Sequence, residues 1–308
     1  KNLHKLGEGS FFDCILLKDV NLETLNHLER ISDYYNKSDV RVIHYYDSEN
    51  EDPYDRYVNG VDYFALDHDE GQFDGYLKRY GTFAGTGITS FRMPSNLKYI
   101  APETFRNCEQ LKTFYIGKAF RGKINYGEEG DPDTLFLYYA PIRLIQIDKE
   151  NTSYQLQNEI LYTRDGHILC QALKNDNADS QLTIPSCVTE IADGAFYRNS
   201  EFGAIEVKGS LERIGISAFA CADVGSFYVK GGVNYLDRGS FYQSAISEWR
   251  CHGGVKKYEK SAFQDVDATN GYAIDMNAIT KLYQELLYVN ATTDLSYWVK
   301  TIWNWIIM

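Results

Sequence analysis

The sequence is poor in residues that interrupt regular structure. Its 308 residues include only six prolines and three methionines. The 24 glycines and 6 prolines together are too few for a collagen-like or low-complexity chain. No run of about 18 apolar residues occurs, so no transmembrane segment is predicted. We therefore expect a folded protein rather than a fibrous, disordered or membrane-spanning one.

Positive charge is also scarce. The chain has 31 Lys and Arg against 43 Asp and Glu, which gives a formal net charge of −12. Nucleic-acid binding depends on clustered Lys and Arg that neutralise phosphates, so nucleic acid is not a predicted partner. The acidic excess is greatest in residues 47–74, where ten acidic residues accompany a single base, Arg56. We interpret this segment as a solvated acidic loop.

Motifs for catalysis and metal binding are missing. The six cysteines form no C-x-x-C pair, and we interpret most of them as small buried hydrophobic residues. Neither G-x-S-x-G nor H-E-x-x-H occurs. Residues 6–11 resemble the start of a kinase glycine-rich loop, but no kinase catalytic motif follows. Residues 67–71 begin like a calcium loop that lacks its closing Glu. No catalytic residue, metal site or cofactor is predicted.

Aromatic residues are abundant, and phenylalanines recur at a regular interval. Phe196, Phe219, Phe241 and Phe263 are 23, 22 and 22 residues apart, and Phe105 ends a similar unit. We call these five residues the anchors. Positions 14, 12, 8 and 5 before each anchor are apolar in all five units, and the residue just before each anchor is small. A fixed register of this kind is typical of a repeat protein.

The spacing within a unit predicts how each repeat folds. The residues 14 and 12 before the anchor flank one polar residue, as in a short strand with one buried face. The residues at 8 and 5 before the anchor and the anchor itself belong to the return leg of a coil. Pro102 suits the first turn of a short helix on that leg. Because one unit cannot bury its apolar face alone, neighbouring units are predicted to stack into a solenoid.

Two segments carry a resemblance to a known family. Residues 182–196 (LTIPSCVTEIADGAF) and 88–108 (ITSFRMPSNLKYIAPETFRNC) resemble BspA-type leucine-rich repeats, a bacterial class with recurring Ile-Pro and Ala-Phe steps. The resemblance covers residues 81–268. It implies an α/β solenoid, a right-handed leucine-rich-repeat coil with a concave parallel sheet. It also implies an exported protein at the cell surface or in the extracellular space.

Insertions near residues 117–135 and 148–178 interrupt the repeat. Phe136 has the spacing of a further anchor after the first insertion. In the second, the apolar runs 160–162 and 168–170 flank Arg164-Asp165-Gly166-His167, and Asp-Gly between apolar runs predicts a β-hairpin. Arrays of the BspA type are often interrupted by such a hairpin.

Residues 1–80 do not fit the repeat, and we predict that they form a small N-terminal α/β cap or domain. Residues 12–17 read as a buried strand and residues 40–46 as another. Between them, Leu22, Leu25, Leu28 and Ile31 form the apolar stripe of a predicted helix that would be N-capped by Asn21.

Residues 269–308 are predicted to form a helical C-terminal cap. Asp275 and Asp294 are suitable N-caps for two helices with apolar stripes. The second helix could also dock on a membrane surface, but Lys300 is its only basic residue, so closure of the open end of the solenoid is the favoured interpretation.

The residues between the two buried positions of each strand should point to solvent and form the candidate binding site. Tyr and Arg are enriched among residues that dominate binding energy, because they combine large rigid area with polar ends. The residues predicted to bind a partner on the concave face are Arg92, Tyr115, Gln146, Glu206, Lys208, Tyr228, Lys230, Arg250 and His252.

These observations predict a non-catalytic, monomeric adhesion protein that is secreted or held at the cell surface and recognises a protein or a glycan. Two alternatives remain open at this stage. Residues 1–80 could carry an enzymatic or ligand-binding activity with the solenoid as a targeting arm, or the chain could be a purely structural spacer. A pocket with converging polar groups would favour the enzyme, and a patch of exposed Tyr and Arg would favour the binding protein.

Overall fold

The computed structural model describes residues 3–7, 9–31, 57–58, 61–63, 77–79, 81–127, 134–174, 180–259 and 261–263. The strands in these ranges are β1 (Lys5–Leu6), β2 (Arg30–Ile31), β3 (Tyr57–Val58), β4 (Val61–Tyr63), β5 (Leu77–Arg79), β6 (Ser90–Arg92), β7 (Tyr99–Ile100), β8 (Thr113–Ile116), β9 (Lys123–Ile124), β10 (Thr134–Leu135), β11 (Leu144–Ile147), β12 (Tyr154–Gln157), β13 (Ile160–Thr163), β14 (Ile168–Ala172), β15 (Ser180–Ile184), β16 (Glu190–Ile191), β17 (Ser200–Val207), β18 (Leu211–Ile214), β19 (Asp223–Val229), β20 (Val233–Leu236), β21 (Ala245–Cys251) and β22 (Val255–Tyr258). One 3-10 helix, Leu137–Tyr139, is present in these ranges. None of the described segments forms a helix with the length and apolar character needed to cross a membrane.

Each full repeat supplies one strand to each of two sheets that enclose the core. The first sheet consists of two parallel groups, β6-β8-β11 and β15-β17-β19-β21. The second sheet has the strand order β12-β13-β14-β16-β18-β20-β22 and is parallel from β14 onward. Strands β1, β2 and β7 form the corresponding parallel sheet of the N-terminal units, and β9 pairs with β10. Strands β3, β4 and β5 form an antiparallel sheet of their own.

The predicted helices on the return leg are wrong, and the described solenoid is a β-solenoid rather than α/β. The return leg forms strands such as β18, in which Leu211 and Ile214 are fully buried. A turn follows each of these strands. In the turn that follows β7, Glu103 and Asn107 have positive φ angles of 64° and 56°. A right-handed helix cannot pass through two left-handed residues, so Pro102 lies in a turn.

The anchors form the predicted buried column. The rings of Phe196 and Phe219 stack at 4.6 Å, those of Phe219 and Phe241 at 5.0 Å, and those of Phe241 and Phe263 at 5.1 Å, with interplanar angles below 10°. The first three are fully buried and Phe263 is partly buried. The column of stacked aromatic rings therefore runs through successive coils of the C-terminal half.

Backbone hydrogen bonds hold successive corners together. The amides of Phe196, Phe219 and Phe241 each donate to the carbonyl of the small residue before the next anchor, at 2.7 Å. Left-handed residues recur two positions before and two after the corner phenylalanines. Those before are Gly9, Glu103, Gly194, Ser217 and Gly239, and those after are Asp13, Gly85, Asn107, Arg198, Cys221 and Gln243. The corner is thus a conserved backbone shape within this chain, carried by varied residue types.

The predicted β-hairpin is confirmed, and it divides the core in two. Strands β13 and β14 pair antiparallel across the Asp165-Gly166 turn. Alternate side chains point to opposite sides of a strand. Ile160 and Leu169 accordingly pack in the C-terminal core cluster, whereas Leu161 packs in the N-terminal one. The hairpin is therefore shared between the two halves of the core.

The predicted N-terminal α/β cap is wrong for the residues described. Residues 12–17 form exposed or half-buried turns rather than a buried strand, and residues 22–31 form turns and β2 rather than a helix. The ring of Phe11 stacks on Phe83 at 5.3 Å. The Phe11 amide donates a hydrogen bond to the carbonyl of Thr82, the residue before Phe83, just as the amides of later anchors donate to the residue before the next anchor. The apolar residues of 22–31 fill the core of a repeat coil, so their spacing of three reflects a corner and not a helix face.

The predicted strand at 40–46 and the predicted C-terminal helices of 269–308 lie outside the described residues.

Phe136 is half-buried and packs on Tyr138 and Tyr139, because the 3-10 helix turns the neighbouring Leu137 into the core instead. The cysteines divide evenly rather than being mostly buried: Cys108, Cys170 and Cys251 are buried, Cys14 and Cys187 are exposed, and Cys221 is intermediate.

Candidate functional site

The predicted binding residues lie on the outward side of the first sheet. Arg92, Tyr115 and Gln146 occupy matching positions on β6, β8 and β11. Glu206, Tyr228 and Arg250 do the same on β17, β19 and β21, with Thr183 next to them on β15. Lys208, Lys230 and His252 follow two residues later on the same face. The residues of each row are exposed or half-buried, whereas their neighbours in sequence on the strands are buried, except for the half-buried Ile147.

Arg92 and Tyr115 form a preorganised pair on the N-terminal group of strands. The Arg92 guanidinium lies 4.0 Å from the centre of the Tyr115 ring, and its Nε is 2.9 Å from Glu23 Oε1. The Tyr115 hydroxyl donates a 2.8 Å hydrogen bond to Asp148 Oδ2. The stacked cation and the hydrogen-bonded hydroxyl hold both side chains in one arrangement. Gln146 is exposed beside them.

The same contacts set the protonation of this cluster. Burial and the bond to the Asp148 carboxylate raise the pKa of Tyr115. The backbone amide of Glu150 and the Tyr115 hydroxyl together lower the pKa of Asp148. A hydrogen bond to a carboxylate stabilises its charged form, so the Tyr115 hydroxyl stays protonated and Asp148 stays ionised near neutral pH.

Glu206 is the centre of the C-terminal group. Its carboxylate contacts the ammonium groups of Lys208, at 2.5 Å, and Lys230, at 3.2 Å. The bonds from these lysines lower the pKa of Glu206, and the bond to Glu206 raises the pKa of Lys230. Two cations share one anion, so this part of an acidic protein has a local excess of positive charge.

Tyr228 and Arg250 complete the C-terminal group. The Tyr228 ring contacts the His252 ring edge-to-face at 5.5 Å, and the Arg250 guanidinium pairs with Glu248 on the same strand. The nine predicted residues thus form two groups, one on each parallel group of strands. Sequence reasoning missed the acidic partners Glu23 and Asp148, since only the folded coil places them beside the row.

A second polar cluster lies on the outward side of the second sheet. Arg213 contacts Glu190 at 2.8 Å, Asp193 at 2.5 Å and Asp237 at 3.0 Å, and these residues line a cleft of about 680 Å³. Burial disfavours the Arg213 charge, but the carboxylates of Asp193 and Glu190 outweigh it and raise its pKa. Burial also raises the pKa of Asp193. The single cation Arg213 links carboxylates from the coils on both sides of it, which suits a structural role.

The position six residues before the anchors marks the polar row to which Glu190 and Arg213 belong. Glu190, Arg213, Tyr235 and Lys257 all stand six residues before an anchor and pair side by side in the second sheet. In the described ranges, including this cluster, no three His, Cys, Asp or Glu side chains are grouped so as to hold a metal ion. Residues 9–11 of the glycine-rich segment belong to the repeat corner that contains Phe11.

The fold and the row of outward side chains define a repeat protein, a β-solenoid with parallel sheets. The family model for the BspA type leucine rich repeat region matches the sequence in six copies, over residues 79–126 and 166–270. The matched residues are BspA-type leucine-rich repeats, as the Ile-Pro and Ala-Phe steps indicated. Families of this solenoid class are generally non-catalytic.

Two solved structures resemble the chain. One is the pneumococcal vaccine antigen PcpA, at 15% identity and a TM-score of 0.43, with 66% of each chain covered. The other is a leucine-rich repeat protein from Eubacterium ventriosum, at 15% identity and a TM-score of 0.34, with 62% of this chain and 68% of that chain covered. The chain thus spans 66% of the length of the pneumococcal structure. No curated protein is significantly similar to it.

Proposed function

We propose that this protein is an exported, non-catalytic binding protein that recognises a protein partner through the outward side of the first sheet. The observation that carries the proposal is the pair of side-chain rows that includes Arg92, Tyr115, Tyr228 and Arg250 in strand register. Export is proposed because BspA-type repeats are a family of bacterial surface proteins.

The mechanism would be rigid display. Neighbouring strands of a sheet are about 4.8 Å apart, so the rows offer side chains at a fixed step to an extended partner surface. Arg92 and Tyr115 are already held by each other and by Glu23 and Asp148 before any partner arrives. Ordered side chains lose little conformational entropy on binding, which favours affinity.

The test removes the large side chains of the C-terminal group. We expect Tyr228→Ala combined with Arg250→Ala to reduce capture on an array of immobilised extracellular-matrix proteins by about tenfold or more, with the melting temperature nearly unchanged. Lys256→Ala is the matched control, because Lys256 is exposed on β22 in the opposite sheet.

The possible outcomes separate the alternatives. Equal capture by the double variant and the wild type would contradict the proposed face. Unfolding of the double variant would mean that Tyr228 and Arg250 are needed for the core. A glycan array run in parallel identifies a carbohydrate partner if binding appears there and not on the proteins.

A further inference from the structure

In the part of the chain that the structure describes, β11 and β15 of the first sheet do not pair with each other. Among the described residues β11 pairs only with β8, and β15 pairs only with β17. The second sheet is continuous from β14 to β22 over the same coils. Within the described ranges, one edge of β11 and one edge of β15 therefore have no pairing strand, and we call this interruption the break. An open edge offers unpaired backbone donors and acceptors.

The hydrogen bonds show which groups of β15 face the opening. The amide of Lys208 donates to the carbonyl of Ile184 at 3.0 Å, so Ile184 turns its backbone groups toward β17. Consecutive residues of a strand direct their backbone groups to opposite edges. Leu182 therefore also faces β17, and the N–H and C=O groups of Gln181 and Thr183 point into the break.

A cleft of about 390 Å³ lies at this edge. Its volume falls in the range of sites that hold a ligand group. The residues that line it are Asn158, Glu159, Ile160, Leu173, Gln181, Leu182, Thr183 and Phe202. Four of them are apolar and buried, and they come from both core clusters, so the cleft opens at the junction between the two halves of the core. Its rim is polar and includes the open edge.

The rim also carries the acidic side chain of Glu159. Glu159 is exposed in the β12–β13 turn, and its carbonyl accepts a 2.9 Å hydrogen bond from the Leu173 amide, which fixes the turn against the cleft. No ion pair to its carboxylate occurs within the described part of the chain, whereas Glu206 on β17 is bound by two lysines. Charge complementarity at the rim therefore favours a cationic side chain.

We infer that the break is a docking site for an extended peptide segment of a partner protein. The segment adds as a strand to the open edge of β15, hydrogen-bonding the backbone of Gln181 and Thr183. It places a large apolar side chain in the cleft and a Lys or Arg beside Glu159. Strand addition draws affinity from the main chain and specificity from pockets for alternate side chains. The inference goes beyond the proposed function, since it concerns the edge of the sheet and not the rows on its surface.

The experiment uses the full chain and a fluorescein-labelled peptide, acetyl-Lys-Phe-Thr-Val-Thr-Lys-amide, measured by fluorescence anisotropy. Thr183→Pro removes the N–H that points into the break and leaves the β15–β17 hydrogen bonds intact, because proline is tolerated on the open side of an edge strand. Thr183→Ala is the matched control, since it keeps the N–H. Circular dichroism and the melting temperature confirm that both variants fold.

We expect saturable binding by the wild type and by Thr183→Ala, and at least tenfold weaker binding by Thr183→Pro. Replacing the peptide Phe by Ala, methylating alternate peptide nitrogens, or introducing Glu159→Gln should each weaken binding. Equal binding by the two Thr183 variants, or no saturable binding by the wild type at millimolar peptide, would overturn the inference.

Two further results keep this site separate from the proposed function and from other occupants. The double variant Tyr228→Ala with Arg250→Ala should bind the peptide normally, so the two proposals can fail independently. Concentration-dependent dimerisation of the wild type that Thr183→Pro abolishes would assign the edge to a second copy of this chain, and would also overturn the partner-peptide inference.

Discussion

At the scale of single residues, the corners determine how tightly the coils can stack. Among the described corners, the residue two positions after the phenylalanine has a left-handed backbone, including Arg198 at 51°, Cys221 at 55° and Gln243 at 50°. A left-handed conformation costs roughly 1–2 kcal/mol for a residue with a Cβ atom. The repeat tolerates this cost at several coils because the corner amides then reach the carbonyls of the next coil.

Relief of that strain is measurable at Gln243, whose side chain is exposed. We predict that Gln243→Gly raises the free energy of unfolding by about 1 kcal/mol, because glycine adopts the left-handed region without steric cost. Gln243→Ala keeps the Cβ atom and should leave stability within about 0.5 kcal/mol of the wild type. Urea unfolding of the three proteins checks this, and a glycine variant that is less stable than the alanine variant would contradict it.

At the scale of elements, the β13–β14 hairpin joins the two halves of the core. Its turn is held by Asp165, whose Oδ1 accepts hydrogen bonds from Thr163 Oγ1 at 2.6 Å and from the His167 amide at 3.0 Å. The bond from the Thr163 hydroxyl, followed by that from the His167 amide, lowers the pKa of Asp165 below its ordinary 3.8. The charged carboxylate is therefore favoured in the folded protein.

This shift fixes the sign of a pH dependence. A carboxyl group whose pKa is lower in the folded state stabilises the fold above its unfolded pKa, and the stabilisation is lost as the pH falls through the folded value. We predict that Asp165→Asn lowers the free energy of unfolding by about 0.5 kcal/mol at pH 7, a small value because the side chain is exposed. The difference from the wild type should disappear in urea titrations well below pH 3.8. A difference that grows on acidification would contradict the assignment.

The elements also show what the sequence can and cannot reveal. The anchors and the Asp165-Gly166 hairpin were predictable, because a 22-residue period and a turn dipeptide are local signals. The second sheet was not, since two buried residues three apart, such as Leu211 and Ile214, suit a helix as well as a corner-bounded strand. The coil that contains Ile31 was not predicted. Residues 32–80 separate Ile31 in the sequence from Phe83, which lies at the corner of that coil.

The candidate site was predictable only in part for a related reason. Alternation within a strand identified the outward residues Tyr228 and Arg250 without reference to any partner. The acidic neighbours of Arg92 and Tyr115 come from other coils, and the break between β11 and β15 depends on pairing across coils. Neither feature has a periodic signal in the sequence, so both required the folded chain.

At the scale of the whole molecule, stability and recognition depend on the same stacking. Each coil buries its apolar residues only against its neighbours, so the column through Phe196, Phe219 and Phe241 links every unit of the C-terminal half. The outward rows stay in register because the buried residues beside them cannot shift without breaking that column. A substitution inside the column should therefore affect the fold, and one on the outer face should affect only binding.

The most direct test of this account is the free energy of unfolding of Phe219→Ala, measured by urea titration. Phe219 is fully buried between two stacked rings, so the account predicts a loss of about 3–5 kcal/mol through cavity formation. Phe219→Leu, which fills most of the space, should lose clearly less. A free energy of unfolding for Phe219→Ala equal to that of the wild type would contradict the stacked column, and with it the solenoid that presents the binding face.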